Sequence, residues 1–146
     1  MSPTPTPVTT LIGLLPHPLP TCPNARILLF AMRRIGAHGL NDARASHMLF
    51  TTFGQDFRRP LLLLRALMAD LAGASAVQIA IAPCCCARTT SAEHALLTVI
   101  GRVEMTPETA RHLLLDLLGV RHVDGVLASA AAVAMAFADA GRPIGG

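Results

Sequence analysis

Apolar residues recur every three or four positions along most of this 146-residue chain, in segments that Pro and Gly residues separate. This spacing places the apolar side chains on one face of an α-helix. We count about six such segments, of which the first covers residues 24–37 and the last runs from Asp124 to the stop at Gly141 and Pro143. The pattern predicts an all-α fold, with a single globular domain over residues 11–146.

Local residue preferences indicate where the helices begin. Side chains that accept hydrogen bonds from unpaired backbone N–H groups, and Pro with its helical φ, are favoured at helix starts. The candidate starting residues are Asn41, Pro60, Thr90 with Glu93, Thr106 with Pro107, and Asp124. The helix predicted over 61–71 is apolar on nearly all sides and should be central. Small residues recur four apart on the last helix, at Ala128, Ala132, Ala136 and Ala140. Such a stripe predicts the close approach of a neighbouring helix.

Two stretches depart from the helical pattern. Residues 1–10 are rich in Pro and Thr and predict a disordered tail, and an ordered Pro-rich arm is expected over residues 16–23. Over 75–82, β-branched residues alternate with other residues, which predicts the one short extended segment of the fold. A lone strand leaves backbone groups unpaired, so this segment either pairs with another chain or is an extended, buried connector.

Composition and charge narrow the class of protein. The mean hydropathy is +0.51, yet every apolar stretch long enough to suggest a membrane span contains charged residues. The longest, over 125–138, lies between Asp124 and Asp139 and is too short to cross a bilayer. No basic segment precedes the first apolar run, so a secretory signal is not expected. We therefore expect a cytoplasmic protein with reduced cysteines.

The cysteines are the first candidate site. Cys84, Cys85 and Cys86 are consecutive, and an extended backbone would point Cys84 and Cys86 to the same side. Together with Cys22 and His94, these two thiols could hold a metal ion. The spacing matches no recognised zinc pattern, so packing as small apolar side chains and thiol redox chemistry remain open as alternatives.

The arginines are the second candidate site, because all 12 basic residues are Arg and the net charge is +3. Clustered cations at a helix start favour a bound anion. The candidate ligand-binding residues are Arg33, Arg34, Arg58, Arg59 and His38. Ordinary ion pairs are the competing explanation for the arginines, and capping of a helix C-terminus is the competing role for His38. Arg65 lies in an apolar helix, so we expect it to pair with Asp42 or Asp70, or to contact a ligand.

Several stretches resemble a family of uncharacterised alphaproteobacterial proteins, typical of sphingomonads. They are His17-Pro18-Leu19-Pro20, residues 26–43 and 57–69, and Ala82-Pro83-Cys84-Cys85-Cys86. The family usually continues the cysteine triplet with Pro, Arg, Met and Thr, from which residues 87–90 depart. The resemblance covers about half of the chain and implies a bacterial, cytoplasmic protein, but it implies no activity.

Three hypotheses about function follow. The first is a small helical binding or regulatory module without catalytic activity, since the sequence contains no recognised catalytic motif. Its partner would be another protein or a second copy, bound through the small-residue helix or residues 75–82. The second is a thiol redox or metal-binding protein that uses the cysteine cluster, with a thiolate-bound metal as the one cofactor considered. The third is a protein that binds an anionic small ligand through its arginines. Scattered basic residues disfavour nucleic acid as a partner.

Overall fold

A computed structural model describes residues 15–145, so the tail predicted over 1–10 lies outside the described residues. The elements, in chain order, are β1 (His17–Pro18), α1 (Pro23–His38), α2 (Ala43–Phe53), a 3-10 turn (Gly54–Phe57), α3 (Arg58–Ala74), β2 (Arg88–Thr89), α4 (Ser91–Arg102), α5 (Pro107–Leu118) and α6 (Asp124–Asp139). The predicted all-α class is confirmed. Within residues 15–145 the only sheet is the antiparallel pair of β1 and β2.

The helices bury their apolar faces in one shared core. The packing of α3 against α6 is the most extensive helix contact, and α4 packs on α5. Phe137 of α6 is fully buried and meets Phe53 edge to face, with ring centroids 5.0 Å apart. Leu, Ile, Val and Ala make up most of the core, which explains how a chain with few aromatic residues still forms one.

One predicted helix cap is present as expected, and a second is displaced by one residue. Thr90 and Glu93 form the predicted capping box at the start of α4. The Glu93 N–H donates to Thr90 Oγ1 at 3.0 Å, and the Thr90 N–H donates to Glu93 Oε1 at 2.9 Å. The cap of α2 is Asp42, whose carboxylate accepts a hydrogen bond from the Ala45 N–H at 2.9 Å. It lies one residue after the predicted Asn41.

The other predicted helix starts are right only in part. Helix α5 begins at Pro107, as predicted, but the Thr106 hydroxyl donates to the Arg102 carbonyl and makes no cap hydrogen bond. Asp124 is the first residue of α6 rather than its cap, and its carboxylate pairs with Arg111. Helix α3 begins at Arg58, directly after the 3-10 turn and two residues before Pro60.

Residues 75–82 pair with no other segment of the described chain and form an extended connector, the second alternative considered for this segment. They connect α3 to the cysteine residues, and single hydrogen bonds hold them, such as the one from the Ala76 N–H to the Leu118 carbonyl at 2.9 Å. The alternating pattern reflects half-burial, because Ile79 and Ile81 are partly buried whereas Gln78 and Ala80 are exposed. The strands lie elsewhere, where His17 is opposite Thr89.

The small-residue stripe of α6 does not form its packing face. Ala136 is buried, but Ala128 and Ala140 are exposed and Ala132 is half-buried. The buried residues of this helix are Val126, Ala130, Val133, Ala134, Ala136 and Phe137. The buried face of α6 is thus a mixture of alanines and larger apolar side chains. Among residues 15–145, no helix has both the length and the apolar character needed to cross a membrane.

Candidate functional site

The cysteine triplet lies on a tight turn that precedes β2. The Cys86 N–H donates to the Pro83 carbonyl at 3.1 Å, which closes a turn with Cys84 and Cys85 at its two central positions. Their Sγ atoms lie 3.5 Å apart. In an extended backbone, the side chains of Cys84 and Cys86 would point to the same side of the chain. The turn instead brings together Cys84 and Cys85, and we call residues 83–86 the cysteine turn.

A buried ion pair anchors the cysteine turn. Arg33 on α1 and Glu93 on α4 are 2% and 0% exposed. Arg33 Nε donates to Glu93 Oε2 at 2.8 Å, and Nη2 donates to Oε1 at 3.0 Å. The guanidinium also donates to the Cys86 carbonyl at 2.8 Å and to the Arg88 carbonyl at 2.7 Å. One buried cation thus holds the chain immediately after the two adjacent thiols.

Glu93 holds the other side of the same loop. Its carboxylate accepts hydrogen bonds from the backbone N–H of Ala82 at 3.1 Å and from that of Thr90 at 2.9 Å. Burial raises the pKa of Glu93, but the hydrogen bonds from Arg33 and from these two N–H groups outweigh burial and hold that pKa below its ordinary value. The loop between α3 and α4 is therefore fastened to an ionised carboxylate on both sides of the cysteine turn, at Ala82 and at Thr90.

Cationic side chains lie beside the two thiols. Arg34 forms a two-point ion pair with Asp42, with contacts of 2.9 and 3.1 Å. The hydrogen bond with Cys85 lowers the pKa of Cys84, partial burial opposes this change, and Arg34 adds to the lowering. The Cys84 neighbour in turn raises the pKa of Cys85. A cleft of about 290 Å³ joins this region to the C-terminal end of α1, where Arg34, His38 and Cys84 line it.

The structure does not assemble the predicted metal-binding set of Cys22, Cys84, Cys86 and His94. Within residues 15–145, no three side chains of His, Cys, Asp or Glu converge on one point. Cys22 lies at the start of α1, where its Sγ accepts a hydrogen bond from the Gly145 N–H at 3.3 Å. It shares a groove of about 440 Å³ with His94, but Cys84 and Cys86 do not line that groove.

His94 stacks on a residue of β1. Its ring is nearly parallel to that of His17, with the ring centroids 3.8 Å apart. Burial, followed by the charge of His17, lowers the pKa of His94. The histidine pair thus holds β1 against the groove side of α4. Arg88 holds the same part of the chain, because its side chain donates to the Leu15 carbonyl at 2.8 Å.

The predicted anion-binding residues fall into two groups, because Arg33, Arg34 and His38 line the cleft beside Cys84 whereas Arg58 and Arg59 line a different cleft. Arg33 is saturated by the contacts described above, and Arg34 is paired with Asp42. Arg58 and Arg59 lie at the start of α3, lining a cleft that also contains Asp139 of α6. There, Arg59 pairs with Asp139 at 2.8 Å. The alternative explanation by ordinary ion pairs therefore describes Arg33, Arg34 and Arg59.

Arg65 departs from its expected partners. It donates to the Ser46 hydroxyl at 3.0 Å instead of pairing with an aspartate, and its buried Nε has no hydrogen-bond partner among the described residues.

The Arg33–Glu93 pair is the main structural feature of this region, and it was not predicted from the sequence. The sequence indicates Glu93 only as a capping residue and Arg33 only as a candidate anion-binding residue. A signal was available, because Arg33 lies four residues after Leu29 and therefore on the apolar face of α1. A charged residue on an apolar face requires a buried partner.

These features define a class: a small all-α protein with two adjacent thiols on a turn that a buried ion pair fixes. The chain belongs to a family of unknown function, DUF6628, whose family model matches residues 9–111. This match includes the cysteine turn, Arg33 and Glu93. No curated protein matches the sequence. No solved structure matches it either.

Proposed function

We propose that the protein is a small binding module without catalytic activity, and that its ligand is a thiophilic metal ion such as Zn²⁺, held by the thiolates of Cys84 and Cys85. The observation that carries this proposal is the 3.5 Å separation of the two Sγ atoms. Thiolates bound to zinc at about 2.3 Å in a tetrahedral arrangement lie about 3.8 Å apart. A movement of a few tenths of an ångström would suffice to seat the ion.

The accessibility of the thiols supports the proposal. All four cysteines are free thiols, and Cys85 is exposed whereas Cys84 is half-buried. A metal ion in solution can therefore approach Cys85 first and then bind Cys84. A cysteine that served only as a small apolar core residue would be buried, as structural thiols commonly are.

The anchoring of the turn supplies the second support. A site binds its metal ion more tightly when the protein holds the ligand side chains in place before the ion arrives. The carbonyl of Cys86 is fixed by Arg33, and the N–H of Ala82 is fixed by Glu93. The two thiols therefore lie on a short, tethered turn rather than on a loop that must be ordered on binding.

Metal titration of the reduced, full-length protein tests the proposal. Cd²⁺ is the spectroscopic probe, because its bonds to thiolates give an ultraviolet charge-transfer absorption, and Zn²⁺ competes for the same site. We expect saturable binding that the double variant Cys84→Ser with Cys85→Ser removes. The matched control is Cys22→Ser with Cys86→Ser, which also loses two thiols and should retain the absorption.

Two results would overturn this function. One is an absence of metal binding by the reduced protein. The other is binding that survives in the Cys84 and Cys85 double variant but disappears in the control variant, which would place the site at Cys22 or Cys86. If the protein retains no metal and instead loses two titratable thiols to a small disulfide oxidant, thiol–disulfide exchange becomes the better hypothesis.

We also propose that the protein works in the cytoplasm of an alphaproteobacterium. The support is its resemblance to sphingomonad-type proteins, together with four cysteines that are all free. Reduced thiols in that compartment would remain available to a metal ion. Fractionation of cells that carry an epitope-tagged copy tests the location, and recovery in the membrane or periplasmic fraction would contradict it.

A further inference from the structure

Two thiolates are only half of the ligand set that structural zinc requires. Protein-bound structural Zn²⁺ is almost always held by four ligands in a tetrahedron. Within residues 15–145, no third His, Cys, Asp or Glu side chain joins Cys84 and Cys85. Residues 1–14 and Gly146 contain none of these residue types. A second molecule can supply the side-chain ligands that complete the tetrahedron.

We propose that a second copy of this chain completes the site, so that Cys84 and Cys85 of two protomers hold one zinc ion between them. This inference rests on the proposed function, since it concerns the same two thiols. Two identical turns related by a twofold axis would each supply two thiolates, which gives a four-thiolate tetrahedron without any further protein ligand. The metal is then the link that joins the two copies.

The surface around the cysteine turn suits such an approach. Pro83, Cys85 and Ala87 are all exposed, and their side chains are short. A second turn can therefore come close enough to share an ion without displacing a large side chain. The anchor behind the turn, formed by Arg33 and Glu93, leaves this outer surface uncovered.

Charge complementarity supports the four-thiolate arrangement. A Zn²⁺ ion with four thiolates carries two net negative charges, which neighbouring cations must offset. Arg44 at the start of α2 is exposed, and its positive charge acts on both thiols. Among the described residues Arg44 forms no ion pair, whereas Arg34 is already paired with Asp42. The two Arg44 side chains, one from each copy, would offset the two negative charges of the zinc ion and its four thiolates.

The test is to measure oligomeric state and metal content together. Reduced, full-length protein is titrated with Zn²⁺ and followed by native mass spectrometry and sedimentation velocity. We expect a metal-free monomer that becomes a dimer with one zinc per two chains, and a chelator should restore the monomer. Because two chains share one ion, the dimer fraction should also rise with protein concentration.

Variants separate the thiols from the rest of the surface. Cys84→Ser and Cys85→Ser should each prevent the zinc-dependent dimer, whereas Cys22→Ser and Cys86→Ser should leave it intact. Arg44→Ala should weaken the dimer by about 10-fold, as the loss of groups around metal ligands commonly does. Arg102→Ala, which removes an exposed arginine from the end of α4, is the matched control and should have little effect.

The outcomes distinguish this inference from the proposed function. Zinc bound at one ion per monomer, with no dimer at any concentration, would overturn the shared site but leave Cys84 and Cys85 as metal ligands. A dimer that forms equally well without metal, or that persists in Cys85→Ser, would also overturn it. If no metal binds at all, the proposed function itself fails.

Discussion

At the scale of single residues, the Arg33–Glu93 pair has the greatest influence on local structure. Burying an isolated charge is very unfavourable, so a buried pair persists only when hydrogen bonds satisfy both partners. Here the carboxylate accepts from Arg33, Ala82 and Thr90, and the guanidinium also holds the carbonyls of Cys86 and Arg88. Replacement by apolar residues can match such a pair in stability. Its contribution in this protein is to fix the position of a loop.

The first prediction concerns the loss of one partner of this pair. Glu93→Gln should lower the free energy of unfolding by about 3–5 kcal/mol, because the buried guanidinium of Arg33 is left without a compensating charge. Chemical denaturation at neutral pH measures the change. The control is Glu104→Gln, which removes an exposed carboxylate and should change stability by less than about 0.5 kcal/mol. Equal effects in the two variants would refute a special role for the buried pair.

The same carboxylate gives the stability a defined pH dependence. The pKa of Glu93 is lower in the folded chain than its ordinary value of 4.5, so the unfolded state binds the proton more readily. The stabilisation is fully present above that ordinary value and is lost as the pH falls through the folded pKa. We expect the wild-type protein to lose stability more steeply than Glu93→Gln below about pH 4.5. Equal slopes of the free energy of unfolding against pH in the two proteins would contradict a lowered pKa for Glu93.

Residue-level prediction from sequence succeeded only where the relevant partner is close in the chain. Glu93 was identified because its capping partner, Thr90, is three residues away. Arg33 and Glu93 are separated by 60 residues, so no local pattern connects them. Arg65 shows the same limitation, because its partner Ser46 lies on another helix and is not an acid.

At the scale of elements, two helix starts that look similar in sequence behave differently. Thr90 caps α4 and also donates from its hydroxyl to the Ala80 carbonyl at 2.7 Å. Thr106 precedes α5, but its side chain is exposed and makes no cap hydrogen bond. The two starts also differ in that Glu108, unlike Glu93, is not the third residue of its helix and cannot complete a capping box.

The second prediction compares these two threonines. Thr90→Ala should lower the free energy of unfolding by about 1–2 kcal/mol, because the Glu93 N–H loses its partner at the helix start. Thr106→Ala should change it by less than about 0.5 kcal/mol. Thermal and denaturant unfolding of both variants give the comparison, and Thr90→Ser, which keeps the hydroxyl, should recover most of the loss. A larger effect at Thr106 would show that the caps are wrongly identified.

The cysteine turn shows why the candidate site was only partly predictable. Its three cysteines are consecutive in the sequence, but which two thiols come together depends on the backbone conformation. An extended chain pairs Cys84 with Cys86, whereas a turn pairs Cys84 with Cys85. Tertiary contacts select the turn, because Arg33 and Glu93 hold the loop at Cys86 and Ala82. Neither contact can be inferred from the triplet itself.

At the scale of the whole molecule, the helical class was predictable and the packing was not. Helical periodicity is a local property of the chain, so it identified the class without knowledge of contacts. The choice of packing face is a property of the assembled core. The sequence favoured the small-residue stripe of α6, but the face that is buried contains Val126, Val133 and Phe137 together with three alanines, only one of which belongs to the stripe.

The third prediction tests whether α6 belongs to the same cooperative unit as the cysteine turn. The family match ends at Arg111, but Phe137 is fully buried and packs on Phe53 of α2. Phe137→Ala should therefore lower the free energy of unfolding by about 3–5 kcal/mol, through lost burial and a cavity in the core. Met135→Ala, on the outer face of α6 where Met135 is 48% exposed, should change it by less than about 0.5 kcal/mol.

The rate at which a thiol reagent labels Cys86 extends this prediction to the cysteine turn. If the molecule unfolds as one unit, Phe137→Ala should increase the labelling rate of half-buried Cys86 in proportion to the lost stability. Met135→Ala should leave that rate unchanged. Faster labelling in Phe137→Ala would show that the core beyond the family match stabilises the cysteine turn. Unchanged labelling, despite the expected loss of stability, would show instead that the turn and its Arg33–Glu93 anchor unfold independently of α6.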